Sequence, residues 1–115
     1  MIPDYEPDAG DLIWTDFDPG LGREQAGRRP ALVMSPRALW RASRLAFVCP
    51  ITSRVHGWSS SVILPPGLPI AGEVLMSHMR SIDTLARPMV YAGAVSLEVL
   101  QEARARLAPL LGFVA

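Results

Sequence analysis

The 115-residue sequence contains no lysine, so all eleven of its basic side chains are arginine. It has a single cysteine, Cys49, which excludes an internal disulfide, and it has neither a CxxC pair nor a Cys/His cluster able to hold structural zinc. Long hydrophobic runs are missing too: stretches such as Ala31–Met34 and Leu45–Val48 fall far short of the roughly 18 residues that cross a bilayer. The first ten residues carry acids where a secretory signal needs basic residues followed by an apolar stretch, so a cytoplasmic location is the default expectation. Common enzyme signatures are absent, namely GxxxxGKS/T, GxSxG and HExxH, and Gly20-Leu21-Gly22 lacks the third glycine of a dinucleotide-binding turn. Any catalysis is expected to run without a metal or an organic cofactor.

What is present suits one soluble domain spanning residues 1–115, with 50% apolar residues to fill one core. Net charge is zero, which argues against indiscriminate nucleic-acid binding, but the mean hides a division. Residues 1–24 carry seven acids and one arginine, whereas residues 25–72 carry six arginines (28, 29, 37, 41, 44 and 54) and no acid. The absence of lysine is explained as readily by a GC-rich genome as by function. Either way, the planar guanidinium fork matches phosphate oxygens and guanine edges as an ammonium cannot, so a polyanion is a plausible partner.

Alternation predicts a strand over Gly10–Phe17, with Leu12, Trp14 and Asp16 on one face and Ile13, Thr15 and Phe17 on the other. Asp18–Arg29, rich in glycine and poor in apolar residues, reads as a long loop of the kind that carries function. A second strand follows over Pro30–Ser35. Ser35 then reads as the N-cap and Pro36 as the first position of a short helical turn reaching Arg41. Leu45–Pro50 is an apolar strand closed by Pro50, Ile51–Gly57 a polar loop, and Trp58–Leu64 extended structure. Gly72–Arg80 and Met89–Val95 complete the strands. Ser96 caps a terminal helix whose Leu97, Leu100, Ala103, Leu107 and Leu111 recur at helical spacing until Gly112 ends it. Short strands in series with one terminal helix predict a mainly β fold, a small antiparallel barrel with a helical cap.

Two polar loops leave neighbouring strands, one closing on Arg23-Glu24-Gln25-Ala26-Gly27-Arg28-Arg29-Pro30, the other at Pro50-Ile51-Thr52-Ser53-Arg54. Together with Gly10-Asp11-Leu12-Ile13-Trp14, Arg80-Ser81-Ile82-Asp83 and the helix ending Leu110-Leu111-Gly112, these stretches resemble the MazF/PemK/ChpB toxins of bacterial type II toxin–antitoxin systems. The resemblance runs over nearly the whole chain. It implies an SH3-like barrel of the CcdB/PemK kind, a homodimer, and a metal-independent, sequence-specific endoribonuclease that cuts single-stranded mRNA and is silenced by the peptide tail of a MazE-like cognate antitoxin. Cleavage without a metal uses the 2′-hydroxyl of the RNA as nucleophile. The protein must then supply a proton acceptor, a proton donor and positive charge at the phosphorane-like transition state.

Carried over residue by residue, the resemblance assigns catalysis to Arg29, Thr52 and Glu24. Arg29 neutralises charge on the scissile phosphate, a role that fits a guanidinium better than proton transfer does. Thr52 hydrogen-bonds a phosphate oxygen or the 2′-hydroxyl, or else only stabilises its turn. Glu24 accepts the 2′-hydroxyl proton or fixes Arg29 in an ion pair. Arg23, Arg28, Ser53 and Arg54 flank these residues as RNA-binding candidates, joined by His56, where relatives often carry Lys, and by His78, which is either a site residue or a packing residue of its strand. Trp58-Ser59-Ser60 replaces a more usual aromatic-Pro-aromatic sequence; an exposed Trp58 could stack on a base, while Trp14 and Trp40 read as core or dimer-interface aromatics. Two rival readings stay open. One is a CcdB-like gyrase poison of the same fold acting through its terminal helix, with Phe113 as an anchor; the other is a binding module without catalysis.

Overall fold

The computed structural model describes residues 5–17 and 28–113. Seven strands, β1 (Asp11–Asp16), β2 (Arg28–Val33), β3 (Leu45–Thr52), β4 (Val62–Ile63), β5 (Glu73–Val74), β6 (Arg80–Asp83) and β7 (Val90–Ala94), are joined by α1 (Arg37–Ser43), a 3₁₀ turn (Met76–His78) and α2 (Leu97–Leu110). The order is β4-β5-β3-β2-β1-β7, with β6 also on β3 and every pairing antiparallel. The sheet curls into a half-barrel, as the run of short strands and the single long helix imply.

Both faces of the central strands are covered, so their apolar residues alternate between two cores. Leu12, Leu32, Cys49 and Ile51 enter one with Leu100 and Ala103 of α2. Ile13, Phe17, Ala31, Val33, Val48 and Ile82 form the other. Burial pushes the Cys49 thiol up to about 12, in keeping with a small apolar core residue rather than a nucleophile.

Several local expectations are corrected. Ser35 does not cap α1: its hydroxyl accepts the Phe47 N–H, Pro36 holds the N-cap position, and the carboxylate of Asp8 accepts the Arg37 N–H. The cap therefore comes from 29 residues upstream, outside any local motif. Arg37 and Arg41 reach back to Glu6 and Asp8, so part of the basic middle of the chain is neutralised by its acidic start. In α2, Ser96 does accept the Val99 N–H as expected. Its inward stripe is Val99, Leu100, Ala103 and Leu107, while Leu97 and Leu111 are exposed because they precede and follow the turns lying on the sheet.

The most consequential correction lies in β3, which Pro50 does not close. Pro50 pairs with Ala31 of β2, and its carbonyl accepts the Leu75 N–H on the opposite side. A strand residue directs its N–H and C=O to the same side, so the N–H that proline lacks would have pointed at the neighbour formed by β5 and β6. There the expected continuous strand Gly72–Arg80 is broken by the three residues Met76–His78, which bulge out as the 3₁₀ turn. Proline is tolerated where the facing strand makes no demand for a donor. His78 is consequently an exposed turn residue and not a strand packing residue. Likewise Trp58–Ser61 form a turn, the Ser61 N–H donating to the Trp58 carbonyl, and extended pairing is confined to Val62–Ile63.

Candidate active site

Pro50 is the last β3 residue paired with β2, and Ile51 the first paired with β5. Beyond that point β2 and β3 part, and a cleft of about 860 Å³ opens between them. Continuing the Ala31–Pro50 register by two residues sets Arg29 on one wall and Thr52 on the other. Trp14 of β1, Arg28 and Ser53 line the same cleft, and His78 enters it from the 3₁₀ turn. Trp14 is not a core residue: it is 36% exposed and lines the cleft, on the face of β1 that Leu12 begins inside the core. Trp40 is a core residue, its indole N–H donating to the Thr84 hydroxyl and its ring covered by the Arg44 guanidinium at 4.1 Å.

The Thr52 hydroxyl accepts the Arg54 N–H at 3.1 Å, so it does stabilise its turn. That bond uses a lone pair and leaves the hydroxyl proton for a further acceptor, so the turn and the site readings are compatible. Arg28 and Arg29 form no ion pair with an acid among the described residues, and no carboxylate lines the cleft among them. The described walls of the cleft are therefore cationic, with two guanidinium forks, two hydroxyls and one imidazole, a donor set that suits a phosphodiester. Among the described residues no three His, Cys, Asp or Glu side chains converge on a possible metal position.

Not every expected site residue meets there. Arg54 and His56 lie outside the cleft lining; His56 instead stacks on Trp58, ring centroids 4.5 Å apart and planes 11° apart. Arg23 and Glu24 fall outside the described residues. The strand that leads towards them is anchored at Phe17, whose carbonyl accepts from Arg87 at 2.6 Å and whose ring lies under the Arg80 guanidinium at 5.4 Å.

One residue the sequence reading passed over organises the neighbourhood. Glu73 is fully buried on β5, directly opposite Thr52 of β3. Its carboxylate accepts three successive backbone N–H groups, from His56 (2.7 Å), Gly57 (3.0 Å) and Trp58 (3.1 Å). The His56 N–H foremost, opposed by desolvation and assisted by Trp58 and Gly57, holds its carboxyl below the usual range. The one sequence signal for it was position: Glu73 ends the long acid-free stretch and stands in an otherwise apolar run.

Next to Glu73, Gly72 has φ of +135°, and a Cβ there would lie 2.2 Å from the Thr52 carbonyl oxygen. Backbone cannot yield as a side-chain tip does. Gly72→Ala is expected to destabilise the fold by about 1–3 kcal/mol and, by displacing Thr52, to reduce activity more than the melting temperature alone would suggest. Thermal melts beside initial rates check this; wild-type values in both would mean that β3 and β5 separate freely.

A curled antiparallel half-barrel with a cationic cleft at the divergence of two strands defines a small β domain built to take a polyanion. The family described as PemK-like, MazF-like toxin of type II toxin–antitoxin system matches residues 8–111, and the chain belongs to it. It is 39% identical over 112 residues to the endoribonuclease toxin MazF of Escherichia coli K12, covering 97% of this chain and 100% of that protein. It is 35% identical over 113 residues to the endoribonuclease toxin ChpB of the same strain, covering 93% and 96%. Among solved structures, MazF of Deinococcus radiodurans superposes with a TM-score of 0.84 at 46% identity, covering 95% of this chain and 99% of that one. A MazE–MazF structure from that organism gives 0.87 at 43% identity, covering 96% and 100%.

Proposed function

We propose that this chain is the toxin of a type II toxin–antitoxin pair, a single-domain endoribonuclease that cuts single-stranded RNA without a metal. The observation that carries the reading is the cleft that gathers Arg29 and Thr52 in a member of this family. The 2′-hydroxyl oxygen attacks the adjacent phosphorus, the bond to the 5′-oxygen breaks, that oxygen takes a proton from water, and the products are a 2′,3′-cyclic phosphate and a 5′-hydroxyl. Arg29 neutralises the charge that builds on the phosphoryl oxygens, and the free proton of Thr52 is donated to one of them. Glu24, carried over from the family motif, takes the 2′-hydroxyl proton or fixes Arg29 in an ion pair. Arg28, Ser53 and His78 hold the flanking nucleotides, with Arg23 and Arg54 further out along the backbone. DNA, lacking the 2′-hydroxyl, is not cut.

The partner is a cognate antitoxin of the MazE kind, whose extended acidic and apolar tail lies in the same cationic cleft and competes with RNA. The toxin acts as a homodimer in the cytoplasm. Membership of this family favours cleavage over gyrase poisoning, although Phe113 at the end of α2 is exposed. Among the described residues no helix is long and apolar enough to cross a membrane.

The test is incubation of the purified protein with a long single-stranded RNA in EDTA, with cut ends mapped by primer extension and assayed for cyclic phosphate. Discrete cuts at a fixed short sequence are expected. No cutting by folded protein on RNA that covers all short contexts would overturn the reading.

A further inference from the structure

The loop after β3 carries an aromatic surface that the cleavage chemistry does not use. His56 and Trp58 are stacked, and His78, itself on the cleft wall, tilts against Trp58 with centroids 6.4 Å apart and planes at 48°. Trp58 is 46% exposed, a large apolar ring left in water beside a smaller surface pocket bounded by Glu102 and Arg106, and it connects to the cationic cleft through His78. We propose that His56, Trp58 and His78 form a stacking subsite for one unpaired nucleobase adjoining the cleaved phosphodiester, and that Glu73 is the positioning residue that holds this subsite in shape. The proposal rests on the ribonuclease reading and adds to it a place where one unpaired base is gripped.

The loop is built to present those rings rigidly. Gly57 adopts φ of +75°, which turns the N–H groups of residues 56, 57 and 58 towards one point, and the buried Glu73 carboxylate sits there. From the other side, the Arg106 guanidinium of α2 donates to the carbonyls of Ser59 (2.6 Å) and Ser61 (2.9 Å), and Glu102 fixes that guanidinium at 3.1 Å. The donors of the loop are thus tied to β5 and its acceptors to α2. A preorganised aromatic ring spends little ordering entropy when a base lands on it. The same arrangement hides the negative charge of Glu73 beneath three N–H groups, so a phosphate in the cleft is not repelled by it. Stacking is tolerant of base type but favours purines, whose larger π face covers more of an indole.

The experiment uses a short oligoribonucleotide carrying the mapped wild-type cut sequence, with 2-aminopurine placed at each position around the cut in turn and a 2′-deoxy sugar at the scissile nucleotide to block cleavage. Wild-type protein is expected to quench 2-aminopurine at one position beside the cut. Trp58→Ala should abolish that quench and raise KM for the all-ribose oligonucleotide by roughly 5- to 100-fold with kcat nearly unchanged, while Trp58→Phe restores most of both. Glu73→Gln should raise KM in the same direction, and adding Trp58→Ala to it should give less than the product of the two separate effects. Trp58 is exposed, so its variants fold irrespective of how Glu73→Gln behaves. Wild-type protein that cuts RNA while Trp58→Ala keeps both quench and KM overturns the subsite alone. Wild-type protein that cuts nothing overturns the ribonuclease reading, and the subsite with it.

Discussion

Arg29→Ala is expected to lower the rate of RNA cleavage by about 100- to 1,000-fold, the usual consequence of removing one preorganised donor from a developing phosphorane. The strand geometry explains the size of the effect. Arg29 is paired through its backbone with Thr15, and Thr15 is locked by burial and by its hydroxyl donating to the Pro88 carbonyl at 3.3 Å. The guanidinium therefore springs from a fixed strand rather than from the tip of a loop. Arg29→Lys keeps the charge but loses the planar fork, and should recover only part of the rate. Because Arg29 is exposed, the fold should be nearly untouched, with stability within about 0.5 kcal/mol of wild type. Single-turnover cleavage of a fluorogenic oligoribonucleotide, beside a thermal melt, gives both numbers. A folded Arg29→Ala protein that cuts at the wild-type rate would move the electrostatic role elsewhere in the cleft.

The parts of this site legible in the sequence were those carried by short contiguous motifs. Arg29 and Thr52 were picked out by the family motifs and expected in polar loops, Asp18–Arg29 and Ile51–Gly57; β2 and β3 in fact run on through Arg28, Arg29 and Thr52, and so carry both side chains on strands to facing walls. The terminal helix and its Ser96 cap were legible for the same reason. Features that depend on distant pairing were not. Nothing local to Pro50 reveals that the strand opposite bulges just where its missing N–H would point, so β3 read as ended and His78 read as a strand residue. The cap of α1 came from Asp8, on the other side of β1 and β2, while the local candidate Ser35 was drawn away to Phe47. Glu73 resembled an ordinary strand acid, because the three N–H groups that justify its burial belong to a loop 15 to 17 residues earlier.

Glu73 also supplies the largest expected loss of stability. Glu73→Ala removes the only acceptor of three successive N–H groups among the described residues and leaves a void beneath Thr52; the melting temperature is expected to fall by about 10 °C at pH 7. Glu73→Gln, which keeps one carbonyl acceptor, should lose about half as much. The contribution depends on pH with a definite sign. The folded state holds this carboxyl below its ordinary value of 4.5, so between the two values the unfolded chain binds more protons and stability rises with pH. The advantage of wild type over Glu73→Gln should therefore be constant from neutrality down to about pH 5.5, begin to shrink as the unfolded carboxyl protonates near 4.5, and vanish once the folded carboxyl is titrated as well. Melts of both proteins across pH 7 to 3 measure this directly, and the fluorescence difference between each protein and its Trp58→Phe version isolates the loop. A gap that widened on acidification would mean that the carboxyl is held protonated in the fold, donating rather than accepting. The loop N–H groups would then need another acceptor, and Glu73 could not be what shapes the aromatic surface beside the cleft.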